Sequence, residues 1–157
     1  MVYGTRHLER SVIPSDRVIR WTTFGLALFF GVVVLLGYLP GMNGPVHVHH
    51  PGADPGEHLL LGQYTISLLD DVTHGLTALL LLIAAARSAS LSRLALAVFG
   101  SYYAVDAAIY LITGVLHRDP LGSNLTLNLP HVILSSFMLW LAYRGRANLP
   151  QPAAPAV

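Results

Sequence analysis

The stretch WTTFGLALFFGVVVLLGYL, residues 21–39, runs for nineteen residues without a charge and is closed by Pro40 and Gly41. A helix that crosses the hydrocarbon core of a bilayer needs about 20 such residues, each adding about 1.5 Å, so the block reads as a membrane span. Three more blocks follow, giving spans at about 21–39, 59–86, 94–116 and 129–143. The last is short, and Asn128 is read as its cap with Pro130 in its first turn, where a missing N–H costs little. The expected fold is all-α, a four-helix transmembrane bundle with two outer loops. One membrane domain, 21–145, lies between an arginine-rich N-terminal segment, 1–20, and a proline- and alanine-rich tail, 146–157, expected to be disordered. Composition agrees: 54% of residues are hydrophobic and 11% charged, against about 25% charged in soluble domains.

The arginines set the expected direction. Arg6, Arg10, Arg17 and Arg20 precede the first span, Arg87 and Arg93 fill the second connection, and Arg144 and Arg146 follow the fourth, with Arg118 alone on the other side. Positive flanks stay cytoplasmic, so both termini are expected inside, with residues 42–58 and 117–128 outside. Trp21, Trp140 and Tyr143 then mark the inner boundary and Tyr38 and Tyr64 the outer one. The first span is too long for a secretory signal and no A-x-A-like site follows it, so it is expected to stay uncleaved. With basic residues in small groups and a net charge of +1, nucleic acid is not an expected partner. The absence of cysteine excludes disulfides, thiolate chemistry and covalent c-type haem attachment.

Polar residues inside these blocks carry the functional question. His74 stands thirteen residues before Arg87, Asp106 thirteen after Arg93, and His131 thirteen before Arg144. Thirteen residues of helix rise roughly 20 Å, so the three share one expected layer somewhat outside the midplane, while the same count from Arg20 reaches Val33 and an apolar wall. Asp70 and Asp71 precede His74 by four and three residues, spacings that share a helix face. An ionised group facing lipid costs roughly 2.5 to 3.5 kcal/mol, so Asp70, Asp71, His74, Asp106 and His131 are expected to face inward around a polar pocket open to the outer side. Gly100, Ala104 and Ala108 form a stripe of small residues on the third span, suited to close helix approach. The short second connection makes the second span its expected neighbour.

Several chemistries fit such a cluster. It can be a hydrogen-bond network that only fixes packing, or a site for a proton or small polar ligand. It can also be a transition-metal site, since His74, His131 and Asp106 have the types of a two-histidine, one-carboxylate set. Axial ligation of haem by the two histidines and a quinone site are further alternatives, with the aspartates arguing against a macrocycle. The outer loop holds His47, His49, His50 and His58 within twelve residues, a weaker metal candidate in a segment rich in proline and glycine. No catalytic residue is assigned. There is no P-loop, G-x-G-x-x-G or G-x-S-x-G elbow, and the i,i+4 pair His131 and Ser135 comes without a sign of an oxyanion hole.

Three motifs carry a resemblance: GVVVLLGYLPG ending the first span, LLLGQYTISLLDDVTHGL entering the second, and NLTLNLPHVIL opening the fourth. Over roughly residues 24–142 the chain resembles an uncharacterised bacterial family of small four-span membrane proteins, a domain of unknown function. The resemblance implies histidines at His74 and His131 and asparagines at Asn124 and Asn128. This chain departs from the pattern at Asp70 and Asp71, where the family has histidine and asparagine, and at Leu127, where it has aspartate. The expectation is a multi-pass protein of the bacterial inner membrane, non-enzymatic, whose cluster takes a metal ion, proton or small polar ligand from the outer face. The competing expectations are an accessory subunit of a larger membrane complex or homo-oligomer, and an electron-transfer protein holding haem or quinone.

Overall fold

The computed structural model describes residues 14–45, 58–61, 64–118 and 121–144. Four helices dominate: α1, Asp16–Tyr38; α2, Leu68–Arg87; α3, Ala89–Leu116; and α4, Leu121–Arg144. Between α1 and α2 lie three strands of three residues each, β1 (Asn43–Pro45), β2 (His58–Leu60) and β3 (Tyr64–Ile66), paired antiparallel in the order β1-β2-β3. The fold is all-α with this minimal sheet at one end. Helices α1, α2 and α3 are each long and apolar enough to cross a membrane, and their large exposed side chains, among them Leu35, Leu69, Val105 and Ile112, suit hydrocarbon as the surrounding medium.

Several helix ends are held by local chemistry. Ser15 caps α1, its Oγ accepting from the Val18 N–H at 3.3 Å. Ser88 serves two helices: its N–H donates to the Ala84 carbonyl and closes α2, while its Oγ accepts from the Leu91 N–H and opens α3. One residue between two helices leaves room only for a reversal. The Arg20 guanidinium reaches across from α1, donating to the carbonyls of Ala85 and Ala86 at 2.8 and 3.1 Å, and so supplies a cation where the α2 dipole is negative. Asp16 pairs with Arg93 at 3.3 Å, drawing the start of α3 to the start of α1.

The largest interfaces are α3 on α4 and α1 on α2. The core fills the end nearest the described termini, where Ile19, Leu26, Phe30, Leu81, Leu96 and Met138 are buried together. Gly100 faces α4: a Cβ there would lie 3.0 Å from Leu139 Cγ and 3.1 Å from Met138 Cβ. The small-residue stripe therefore serves α4 at Gly100, in place of the expected α2, while Ala104 is half-buried and Ala108 exposed. A hairpin between α2 and α3 does form, but their contact is the lesser one.

All four helices start away from the expected spans: α1 at Asp16 and α3 at Ala89 begin ahead of theirs, and the other two starts change a reading. The second span was expected from residue 59, yet α2 begins at Leu68, because the preceding residues pair as β2 and β3 and Ser67 provides a cap. Helix α4 begins at Leu121, so Asn128 lies within it and Pro130 in its interior. Asn128 is therefore not a cap; it is buried in mid-helix. A single interior proline removes one N–H and frees one carbonyl, and a helix otherwise supported by α3 accommodates that loss.

Candidate functional site

The polar residues at the start of α2 are sorted by the helix start itself. Ser67 Oγ accepts from the Asp70 N–H at 3.2 Å, and Asp70 Oδ2 accepts from the Ser67 N–H at 2.9 Å, a reciprocal capping box. The Asp70 carboxylate is thus turned back on the helix end. Its backbone carbonyl, in turn, lies 2.7 Å from His74 Nδ1. Since a carbonyl only accepts, Nδ1 carries the proton in this contact and Nε2 is the unprotonated nitrogen of a neutral His74 ring. Asp71 is buried, and its Oδ2 accepts from the Tyr38 hydroxyl at 2.9 Å, so the first helix supplies a polar partner as well as apolar wall.

One level further in, each helix contributes a ring. Tyr103 of α3 packs nearly parallel to Phe30 of α1 at 5.2 Å and to His131 of α4 at 5.5 Å, and at 5.9 Å to His74 of α2. The two imidazoles lie 6.2 Å apart, their planes 20° from parallel. Tyr103 itself is buried, with its hydroxyl 3.1 Å from Thr77 Oγ1. Aromatic pairs at such separations stabilise by about 0.5 to 1.5 kcal/mol beyond their buried area, so this ring cluster ties the four helices together.

Asp106 follows Tyr103 by three residues and shares its face of α3. Its Oδ2 stands 3.8 Å from His131 Nδ1, and each side chain is 27% exposed. That separation is within reach of an ion pair and too long for a hydrogen bond. His131 Nδ1 is buried and makes no hydrogen bond among the described residues. Ser135, one turn along α4, spends its hydroxyl on the Val132 carbonyl, and Thr73 spends its own on Leu69. Neither is turned to the imidazoles.

His74, His131 and Asp106 thus come within stacking or ion-pair distance of a neighbour in the set, while the Asp70 and Asp71 side chains are engaged with the cap and with Tyr38. Among the described residues no group of three histidines, cysteines or carboxylates is placed to hold a metal ion. The imidazole rings of His74 and His131 lie near-parallel with centroids 6.2 Å apart, and Nδ1 of His74 is committed to a carbonyl. The expected two-histidine, one-carboxylate metal set is therefore not assembled. Of the weaker loop candidates, His47, His49 and His50 lie outside the described residues. His58 opens β2 instead of α2, and its side chain is outside them too. Phe30 and Thr77 were not legible as site residues. The only sequence signal available for them was position, each being one helical turn or less from the expected layer.

A family described as Domain of unknown function (DUF4383) matches residues 20–144. The chain belongs to that family. The match spans all of α2 and α3 and all but the first turn of α1, and ends on the last residue of α4, so the DUF4383 unit comprises both the ring column and the Asp106–His131 pair. Neither the curated proteins nor the solved structures contain a match to this chain.

Proposed function

We propose that the chain is a four-span, multi-pass protein of the bacterial inner membrane with both ends cytoplasmic, and that Asp106 and His131 take up a proton or a small hydrogen-bonding ligand from the outer side. The asymmetry of the arginines supports the direction. The observation that carries the site is the buried His131 Nδ1, without a hydrogen bond among the described residues, held 3.8 Å from a carboxylate oxygen. A buried polar atom left without a hydrogen bond costs about 1 to 3 kcal/mol, and a group that donates to one partner and accepts from the other removes that cost. A ligand carrying both a donor and an acceptor, or a proton shared after a small closure, fits this gap. Partial exposure of both side chains gives such a group a way in. Beside His131 stand Tyr103 of α3 at 5.5 Å and His74 of α2 at 6.2 Å between ring centroids.

Difference titration of the lipid-embedded protein tests this reading. His131→Gln removes one titrating proton from the curve, and Asp106→Asn displaces the His131 component, whereas Asp71→Asn, which touches Tyr38, does not. Superimposable curves for wild type and Asp106→Asn exclude the reading and leave the column as a packing device.

A further inference from the structure

At the opposite end from the His131 pair, an open groove of about 540 Å³ runs between α1 and α2. Its walls are apolar below: Trp21 and Phe24 meet edge to face at 5.8 Å and Leu82 lines the facing helix. Its rim is cationic above, formed by Arg17 and Arg20. Asp16 also lines the groove, but its carboxylate is paired with Arg93 at 3.3 Å. Arg20 is anchored on the carbonyls of Ala85 and Ala86, which fixes the rim in place, while Arg17 is exposed. Arg87, the last residue of α2, adds a further cation at the same level.

We propose that this groove binds an anionic phospholipid, with one acyl chain along Trp21, Phe24 and Leu82 and its phosphate group on Arg17 and Arg20. Charge complementarity is the argument. A zwitterionic lipid brings its own cation to a rim whose one carboxylate is already paired, whereas a headgroup of net negative charge leaves no unmatched cation. The apolar floor below the guanidinium groups selects a lipid over a free anion, and an exposed tryptophan at the junction of the two zones suits the interfacial region of a bilayer. Basic pockets between spans recognise anionic headgroups through this same combination. The proposal needs α1 and α2 in a bilayer and is independent of the His131 pair.

The full chain is released from nanodiscs containing equal phosphatidylglycerol and phosphatidylcholine, and the retained lipid is measured by native mass spectrometry. Wild type retains phosphatidylglycerol in preference. Arg17→Gln lowers that preference roughly five-fold, the value of one arginine near a charged surface. Arg144→Gln, whose guanidinium lies 5.1 Å over Trp140 at the same end, leaves the preference in place. Leu82→Trp, which narrows the groove without changing charge, lowers the lipid retained per chain. Equal retention of both lipids by wild type, equal loss in the two arginine variants, an unaffected Leu82→Trp, or displacement of the lipid by inorganic phosphate overturns the proposal. Among the described residues no hydrogen bond or ion pair of Arg17 joins two helices, so its variant is expected to fold, and unchanged thermal unfolding verifies it.

Discussion

Gly100→Ala isolates the contact that holds α3 against α4 and, through it, Asp106 against His131. The added methyl would sit 3.0 Å from Leu139 Cγ, 3.1 Å from Met138 Cβ and 3.2 Å from Leu139 Cδ2. All three are closer than ordinary van der Waals contact, and Met138 is fully buried, so the helices must separate by a few tenths of an ångström. Overpacking of this kind costs about 1 to 3 kcal/mol. Replacing glycine by alanine inside a helix returns about 0.8 to 1 kcal/mol of propensity. The clash wins, and the net change is a destabilisation of up to about 2 kcal/mol. At Gly25 and Gly31 nothing lies within 4 Å of the added methyl, so only the propensity gain remains and alanine there stabilises by up to about 1 kcal/mol. Equilibrium unfolding in bicelles measures the three variants side by side. A Gly100→Ala protein as stable as Gly25→Ala would refute the close α3–α4 approach, and with it the placement of Asp106 beside His131.

Other perturbations read the remaining links. Ser67→Ala removes the cap of α2 and is expected to lower stability by about 0.5 to 2 kcal/mol, with hydrogen exchange rising first at Asp70 and Asp71; unchanged protection there would reject the cap. Tyr103→Phe keeps the stack but deletes the hydroxyl facing Thr77, and an interhelical bond of this type is expected to be worth about 0.6 kcal/mol and at most about 1.7, read by the same unfolding assay. Arg20→Met withdraws the cation from the C-terminus of α2 and is expected to cost about 0.3 to 1 kcal/mol, with the loss confined to exchange at the last turn of that helix.

What the sequence shows and what it hides divide along physical lines. The first and third helices are legible because long apolar runs begin directly after Arg20 and Arg93, and length against bilayer thickness does the rest. The start of α2 was misjudged because Leu59, Leu60 and Leu61 extend the apolar run without interruption, and hydropathy does not distinguish three residues of strand from a turn of helix. The correcting signal was present: Ser67 and Asp70 stand at the S-x-x-D spacing of a capping box. Asn128 and Pro130 imitate a helix start, but a proline also tolerates an interior position when neighbours support the helix, and α4 passes through it.

Depth and direction are unequal in the same way. Rise per residue sets the levels of His74, Asp106 and His131 from sequence alone, since each is counted along a regular helix from an arginine. The rotation of each side chain about its helix is another matter. The turn of Asp70 to its own helix end follows the capping-box spacing, but the meeting of Asp71 with Tyr38 depends on which element packs against the helix start, and spacing does not encode that. The stacking of Phe30, His74, Tyr103 and His131 depends on four helices meeting at once, so no single segment reveals it.

The contact between Asp106 and His131 is the centre of the account, and it is open to direct measurement in lipid. A solid-state NMR dipolar measurement between the labelled His131 Nδ1 and the Asp106 carboxyl carbon should give a weak but resolvable coupling, consistent with an oxygen 3.8 Å away, that vanishes in Asp106→Ala. No detectable coupling in the wild-type protein would contradict the account.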